Sequence, residues 1–138
     1  MGKRRLGREL ALQALYLVDV AHLPLEEALG TLLRGNGNVD SESKKFAENL
    51  AQGTLSELKV IDDCIKSHAK NWDIPRMAAV DRNLLRLSTF ELLENVETPV
   101  NVIINESIEI AKKYSSEDSG KFINGILDKI KQHRKVKT

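Results

Sequence analysis

The residue types that most often carry out catalysis or bind metals are few in this sequence and poorly spaced for either task. Its three histidines have no metal-ligand spacing to one another or to the single cysteine, Cys64, which falls in an apolar helical pattern typical of a core. The glycine-containing segment 35–38 opens neither a P-loop nor a dinucleotide motif, and no serine lies in a nucleophile elbow. The sequence therefore predicts a binding protein without metal or cofactor, and no enzyme.

Basic and aromatic side chains share one side of the predicted first helix. At about 100° per residue, the apolar residues Leu6, Leu10, Ala14 and Leu17 fall on the inward side. The other side carries Arg5, Arg8, Leu12, Gln13 and Tyr16. Arginines pair with phosphates and an aromatic ring can stack on an unpaired base, so this side favours RNA binding. The alternatives for Tyr16 are packing under a neighbouring loop and contact with a protein partner.

The predicted last helix has a similar side. Phe122 lies at the edge of its apolar stripe, and Lys121, Gly125 and Lys129 flank it. Gly125 leaves room for a ligand or a backbone to approach closely. A position in the core is the alternative for Phe122. If the first and last helices lie side by side, their basic sides merge into one patch.

The overall charge of +1 conceals an uneven distribution. The first ten and last ten residues together carry +8, which leaves −7 for the residues between them. A polyanion at one surface and a basic partner at another would account for this asymmetry. Solvated, charged termini are the alternative.

The length and composition indicate one all-α domain. A chain of 138 residues, 41% of them hydrophobic, fits a single domain with its own core. No sustained alternation predicts strands, and no apolar run approaches the ~18 residues of a membrane span, so the protein is expected in the cytoplasm. We expect two helical halves, at about 1–70 and 71–134, and a basic tail over 134–138.

Capping residues and prolines set the predicted helix boundaries. Six or seven helices are expected, over about residues 3–20, 24–33, 41–70, 75–95, 99–114 and 115–130. The expected caps are Asp40 or Ser41 for the long third helix, Thr98 ahead of Pro99, and Ser115 for the last helix.

Several motifs, in this order, resemble the NusB family of bacterial transcription antitermination proteins. The first is the basic start with Leu12-Gln13-Ala14-Leu15-Tyr16, and the second runs from Asp81-Arg82 to Phe90-Glu91-Leu92. The strongest covers 99–129, with Ile104-Asn105-Glu106, Glu109-Ile110-Ala111-Lys112, Lys121-Phe122 and Asn124-Gly125-Ile126-Leu127-Asp128-Lys129. The resemblance spans nearly the whole chain.

This resemblance implies a NusB-like fold of seven helices in two bundles and a role in antitermination. The protein would bind the boxA element of nascent ribosomal RNA together with NusE, a small-subunit ribosomal protein. With NusA and NusG on RNA polymerase, it would allow transcription through terminators.

The resemblance also assigns residues to each partner. The implied RNA contacts are Arg4, Arg5, Arg8, Gln13, Asp118, Lys121 and Phe122. Tyr16 and Asp81 would face NusE, while Glu91 and Glu106 are interpreted as structural. Gly7 departs from the family, in which alanine is usual at this position, and it is expected to add flexibility beside the arginines.

Two other functions are compatible with the sequence. NusB-like domains precede some rRNA methyltransferase domains, but the glycine-rich cofactor motif is missing and the C-terminus looks complete. The other alternative is an interaction scaffold, such as a homodimer that covers its own basic side.

Overall fold

The computed structural model describes residues 2–134, which form helices joined by short connections. No strand occurs in this range, so the all-α prediction is confirmed. The tail residues 135–138 lie outside the described part of the chain. The seven α-helices are α1 (Lys3–Val20), α2 (Leu25–Gly35), α3 (Ser41–Ser56), α4 (Leu58–His68), α5 (Ala79–Glu94), α6 (Val100–Tyr114) and α7 (Glu117–Ile130). Two 3₁₀ turns cover Ile74–Arg76 and Lys131–His133.

The chain divides into two compact units, the first ending at Ser56 and the second beginning at Glu57. This division lies earlier than the one near residue 70 that the sequence suggested. It coincides with an interruption in the helix predicted over 41–70. Glu57, with φ −108° and ψ 20°, leaves the helical conformation, and the backbone N–H of Ile61 bonds to its carbonyl as α4 begins. The prediction of one continuous third helix was therefore wrong.

In the first unit, α1 packs against α2 and α3. Ala14, Ala28 and Leu29 form a small apolar cluster between α1 and α2. The Asp40 carboxylate accepts hydrogen bonds from the backbone N–H of Ser43 at 3.1 Å and from its hydroxyl at 2.7 Å, as predicted for the cap of α3. The Ser43 hydroxyl also lies 3.3 Å from the carbonyl oxygen of Lys3. The start of α3 is thereby fastened to the start of α1.

In the second unit, large aliphatic side chains of α4–α7 form the core, including Ile61, Leu85, Ile103, Ile123 and Leu127. Polar contacts connect the same helices. Arg86 donates two hydrogen bonds of 2.9 Å to the carboxylate of Asp62. The buried hydroxyls of Ser88 and Ser107 lie 2.6 Å apart, between α5 and α6.

Three predicted helix starts are shifted in the structure. The fourth helix was expected near Pro75, but Met77 and Ala78 are extended after the 3₁₀ turn, so α5 begins only at Ala79. Pro99 is itself the extended residue before α6, where Thr98 had been expected as the cap. Ser116, rather than Ser115, caps α7 because its hydroxyl accepts the backbone N–H of Ser119 at 3.1 Å.

The last described residue folds back onto the second unit. Arg134 donates hydrogen bonds to the carbonyl oxygens of Asn95 and Thr98, in the connection between α5 and α6. It was expected to begin a basic tail, and it instead holds the end of the described chain in place.

None of the helices in residues 2–134 combines the length and apolar character that a bilayer span needs.

Candidate nucleic-acid interface

In the first unit, two of the predicted RNA-binding arginines flank an aromatic ring. The guanidinium carbon of Arg4 lies 4.3 Å from the ring centroid of Phe46, and that of Arg8 lies 5.4 Å from it. Cation–π attraction at these distances holds the arginines near fixed positions. Phe46 is on α3, and the one-helix pattern used to find the basic side gave no signal for it.

Gly7 lies beneath the same ring. A Cβ at this position would be 2.6 Å from Cδ2 of Phe46 and 3.3 Å from the carbonyl oxygen of Ser43. Gly7 is therefore a site of close helix packing, which corrects the expectation that it adds flexibility. The ring can lie between Arg4 and Arg8 because the residue beneath it has no side chain.

The predicted RNA residues of α1 differ widely in exposure. Arg4 is exposed and Arg5 and Gln13 are half-buried, whereas Arg8 is only 4% exposed. Leu12 was expected on the basic side and is buried, because α1 is enclosed over the whole stretch from Gly7 to Leu12. The exposed part of the basic side is therefore smaller than the helical wheel indicated.

In the second unit, α7 presents Asp118 and Lys121 to solvent and leaves Phe122 half-buried. The Ser116 cap fixes where this helix begins, and hence where these side chains lie. Phe122 forms an edge-to-face pair with Trp72, with ring centroids 5.2 Å apart and planes at 71°. Trp72 is 55% exposed. Trp72 was not among the predicted site residues, although an isolated tryptophan in the break before Pro75 is an unusual feature.

Asp81 lies at the first turn of α5. Its Oδ2 accepts a hydrogen bond from the Ser119 hydroxyl at 3.2 Å. Its Oδ1 is buried and has no hydrogen-bond partner among residues 2–134. A cavity of ≈ 380 Å³ brings Asp81 together with Asp118, Trp72 and Phe122. The residue predicted to meet NusE thus shares a cavity with two of those predicted to meet RNA.

Tyr16, the other predicted NusE residue, belongs to the first unit and is 37% exposed. Each unit therefore contains residues predicted for RNA and a residue predicted for NusE. Within the first unit the structure brings Arg4 and Arg8 together, and within the second it brings Asp81, Asp118 and Phe122 together.

Two histidines far apart in sequence meet in the second unit. The Nε2 atoms of His68 and His133 are 2.7 Å apart. Desolvation lowers the pKa of His68, and the charges of His133, Lys129 and Lys70 lower it further. Among residues 2–134, no three histidine, cysteine or acidic side chains are grouped so that they could hold a metal ion.

Two further candidates for chemistry are Cys64, which is half-buried, and Glu91, which is buried. Burial raises the pKa of the Cys64 thiol, which disfavours the nucleophilic thiolate. Glu91, which the sequence analysis interpreted as structural, is 1% exposed. Among the predicted site residues, Arg4, Tyr16, Asp118 and Lys121 remain exposed, which suits recognition of a ligand.

Comparison with known proteins shows which family the chain is similar to. The profile of the NusB family matches residues 5–132. The transcription antitermination protein NusB of Geobacter sulfurreducens is 48% identical over 130 residues, which cover 94% of this chain and 94% of that relative.

Two solved structures have the same fold. T. maritima NusB superposes with a TM-score of 0.87 at 38% identity, covering 97% of this chain and 93% of that one. A crystal structure of the antitermination factors NusB and NusE in complex with dsRNA gives a TM-score of 0.88 at 26% identity, covering 96% and 98%. On the extent of the profile match and the identity to its relatives, the chain belongs to the NusB family.

Proposed function

We propose that the protein is a transcription antitermination factor that binds boxA RNA of nascent ribosomal transcripts together with NusE. The observation that carries the proposal is the likeness over nearly the whole chain to antitermination proteins, including a NusB solved with NusE and RNA. Exposed basic and aromatic side chains on α1 and α7 support it. As a binding factor, the protein needs no catalytic group.

Each RNA residue has a role that follows from its chemistry. Arg4 and Arg5 neutralise phosphates, and Gln13 offers an amide to a base edge. Arg8 is too enclosed to act as a free surface charge, so we assign it a phosphate contact made from a fixed position beside Phe46.

On α7, the roles divide between charge and stacking. Lys121 attracts phosphate, and Phe122 offers its ring to a splayed base. Asp118 accepts hydrogen bonds from the donor groups of a base, because an ionised carboxylate can only accept. The Asp118 carboxylate also repels phosphates, so it favours contact with an RNA base over contact with the RNA backbone.

NusE would bind through Tyr16 and Asp81, where an aromatic group and an acid meet a basic ribosomal protein. The exposure of Tyr16 is compatible with this role. Asp81 lines the cavity of ≈ 380 Å³ in the second unit, where its acidic side chain would attract a basic partner. We further propose that the complex joins NusA, NusG and RNA polymerase in the cytoplasm, where nascent RNA is made.

The test is fluorescence anisotropy with labelled boxA RNA and a scrambled RNA of equal length, each with and without NusE. We expect a preference for boxA that NusE strengthens. Arg4→Ala should weaken binding by about tenfold or more, as expected for loss of a charged hydrogen bond. Arg34→Ala is the matched control, because Arg34 is an exposed arginine of the same unit whose guanidinium approaches only the hydroxyl of Thr31 at 3.4 Å.

Equal and weak binding to both RNAs, with or without NusE, would contradict the proposal. The basic side would then provide only non-specific attraction, and a scaffold function would be the better explanation. Measuring the mass of the free protein and of its RNA mixture would identify a homodimer in that case.

A further inference from the structure

A groove of ≈ 750 Å³ lies beside Phe122 and shares Trp72 and Phe122 with the cavity that contains Asp81. It runs between the connection that follows α4 and the exposed side of α7. Its lining includes Lys70, Trp72, Phe122, Gly125 and Lys129. We call it the Trp72 groove. Two of the RNA residues assigned above, Lys121 and Phe122, also line it.

The Trp72 groove is positively charged. Lys70, Lys121 and Lys129 line it, and no acidic residue does so within residues 2–134. None of these three lysines forms an ion pair or hydrogen bond with another described residue. His68 also lines the groove, and the charges of Lys129 and Lys70 add to the desolvation that lowers its pKa. An occupant with phosphate groups would offset this charge.

Trp72 gives the groove an aromatic surface. More than half of this side chain is exposed. This is unusual because burying an indole contributes more favourable free energy to folding than burying most other side chains. Its edge-to-face contact with Phe122 orients the indole and occupies only part of it. The exposed ring surface can accept a stacked base, and a flexible acidic peptide would have no corresponding use for it.

Gly125 keeps the groove open. A glycine inside a helix costs about 1 kcal/mol relative to alanine, so a packing reason is usually present. The other glycine of α7 has one, because a Cβ at Gly120 would contact Ile108 at 3.4 Å. A Cβ at Gly125 would meet nothing within 4 Å, although it would project into the groove. The fold of the described chain therefore gives no reason for this glycine, whereas an occupant of the groove would.

We propose that the Trp72 groove is a further single-stranded RNA subsite, adjoining the one at Phe122. A base stacks on Trp72, and the RNA backbone passes over Gly125 between Lys70 and Lys129. The subsite rests on the proposed function, since it extends the same RNA past Phe122.

Tryptophan fluorescence tests the subsite directly, because Trp72 is the only tryptophan of the chain. Adding boxA RNA that extends beyond the boxA element on both sides should quench its emission. Trp72→Ala should weaken binding by roughly 5- to 100-fold, the range for loss of one base–aromatic stack. Trp72→Phe, which keeps a stacking ring, should recover much of that loss.

Two further variants separate occupation of the groove from damage to the fold. Gly125→Gln fills open space with a better helix former, so it should preserve thermal stability while weakening RNA binding and suppressing the quench. Lys70→Gln should weaken binding, and Lys59→Gln is its control. Lys59 is an exposed lysine of the same unit, outside the groove, and pairs with Asp63 at 3.3 Å.

The outcomes distinguish this inference from the proposed function. If boxA RNA binds by anisotropy while Trp72 emission and the affinity of Gly125→Gln are unchanged, the subsite is refuted and the proposed function stands. Quenching by poly-glutamate but not by RNA would also refute it, in favour of an acidic protein partner. If no RNA binds even with NusE, both proposals fail.

Discussion

Replacing Gly7 with alanine tests the packing of α1 on α3, because helix propensity and packing predict opposite signs. Alanine in a helix interior is favoured over glycine by about 1 kcal/mol. The added Cβ, however, would lie 2.6 Å from Cδ2 of Phe46, a separation that requires the ring to move. Overpacking of this kind costs about 1–3 kcal/mol. The ring also has little freedom to move, since Arg4 and Arg8 flank it.

We therefore expect Gly7→Ala to lower the free energy of unfolding by about 1 kcal/mol, as the difference between these two effects. The measurement is urea denaturation followed by far-ultraviolet circular dichroism. In a Phe46→Ala background the obstructing ring is gone, so the same substitution should raise stability by up to about 1 kcal/mol. The double-mutant cycle should thus give a coupling of about 2 kcal/mol, within the range for residues in contact.

Gly125→Ala is the matched control, because it adds the same methyl group to a helix where nothing lies within 4 Å. It should raise stability by up to about 1 kcal/mol. If Gly7→Ala stabilises the protein as much as Gly125→Ala does, the ring moves at no cost and the reasoning is refuted. A coupling near zero with Phe46→Ala would refute it as well.

Three further predictions concern the cap of α7, a histidine pair and the RNA contacts. Ser116→Ala should lower the free energy of unfolding, measured by urea denaturation, by about 1 kcal/mol. Ser115→Ala should lower it clearly less, since the backbone N–H of Ser119 donates to the hydroxyl of Ser116. Equal losses would contradict this assignment. Because desolvation and neighbouring positive charge lower the pKa of His68, the folded protein binds fewer protons than the unfolded one between this lowered pKa and the ordinary value of 6.5. The free energy of unfolding should therefore decrease as the pH falls through this window. In His133→Asn, NMR titration should show a higher pKa of His68 than in the unchanged protein. An unchanged pKa would exclude the influence of His133. Lys121→Gln should reduce the slope of log RNA affinity against log salt concentration by about 0.7, the value for one phosphate contact on single-stranded nucleic acid. An unchanged slope would show that Lys121 contacts no phosphate.

The local features of the fold could be predicted from the sequence. The bounds of α1 and the cap at Asp40 follow from periodicity and from side chains that bond within a few residues. The interruption at Glu57 was missed because the apolar spacing continues across it and no proline or glycine stands at the break. Single-helix patterns record which residues repeat, and they do not record a one-residue change of backbone conformation.

The candidate site could be predicted only where its residues act alone. Arg5 and Phe122 were identified from the patterns of their own helices, whereas Arg4 came from the family resemblance. The burial of Arg8 depends on Phe46, which is remote in sequence, and the role of Trp72 depends on Phe122 in the same way. Such contacts are set by how helices pack, so one sequence pattern could indicate the basic side of α1 but not how much of it stays exposed.

The buried pair of Ser88 and Ser107 helps to determine the register in which α5 and α6 pack. The Ser107 hydroxyl donates to the carbonyl of Ile103 at 2.7 Å, so Ser88 must donate the bond that joins the two hydroxyls. Sliding α6 by one turn, about 5.4 Å, would leave Ser107 satisfied within its own helix. Ser88 would lose its hydrogen bond to Ser107, and one such bond contributes about 0.5–1.5 kcal/mol. Aliphatic side chains alone would tolerate several registers, and this one hydroxyl discriminates among them.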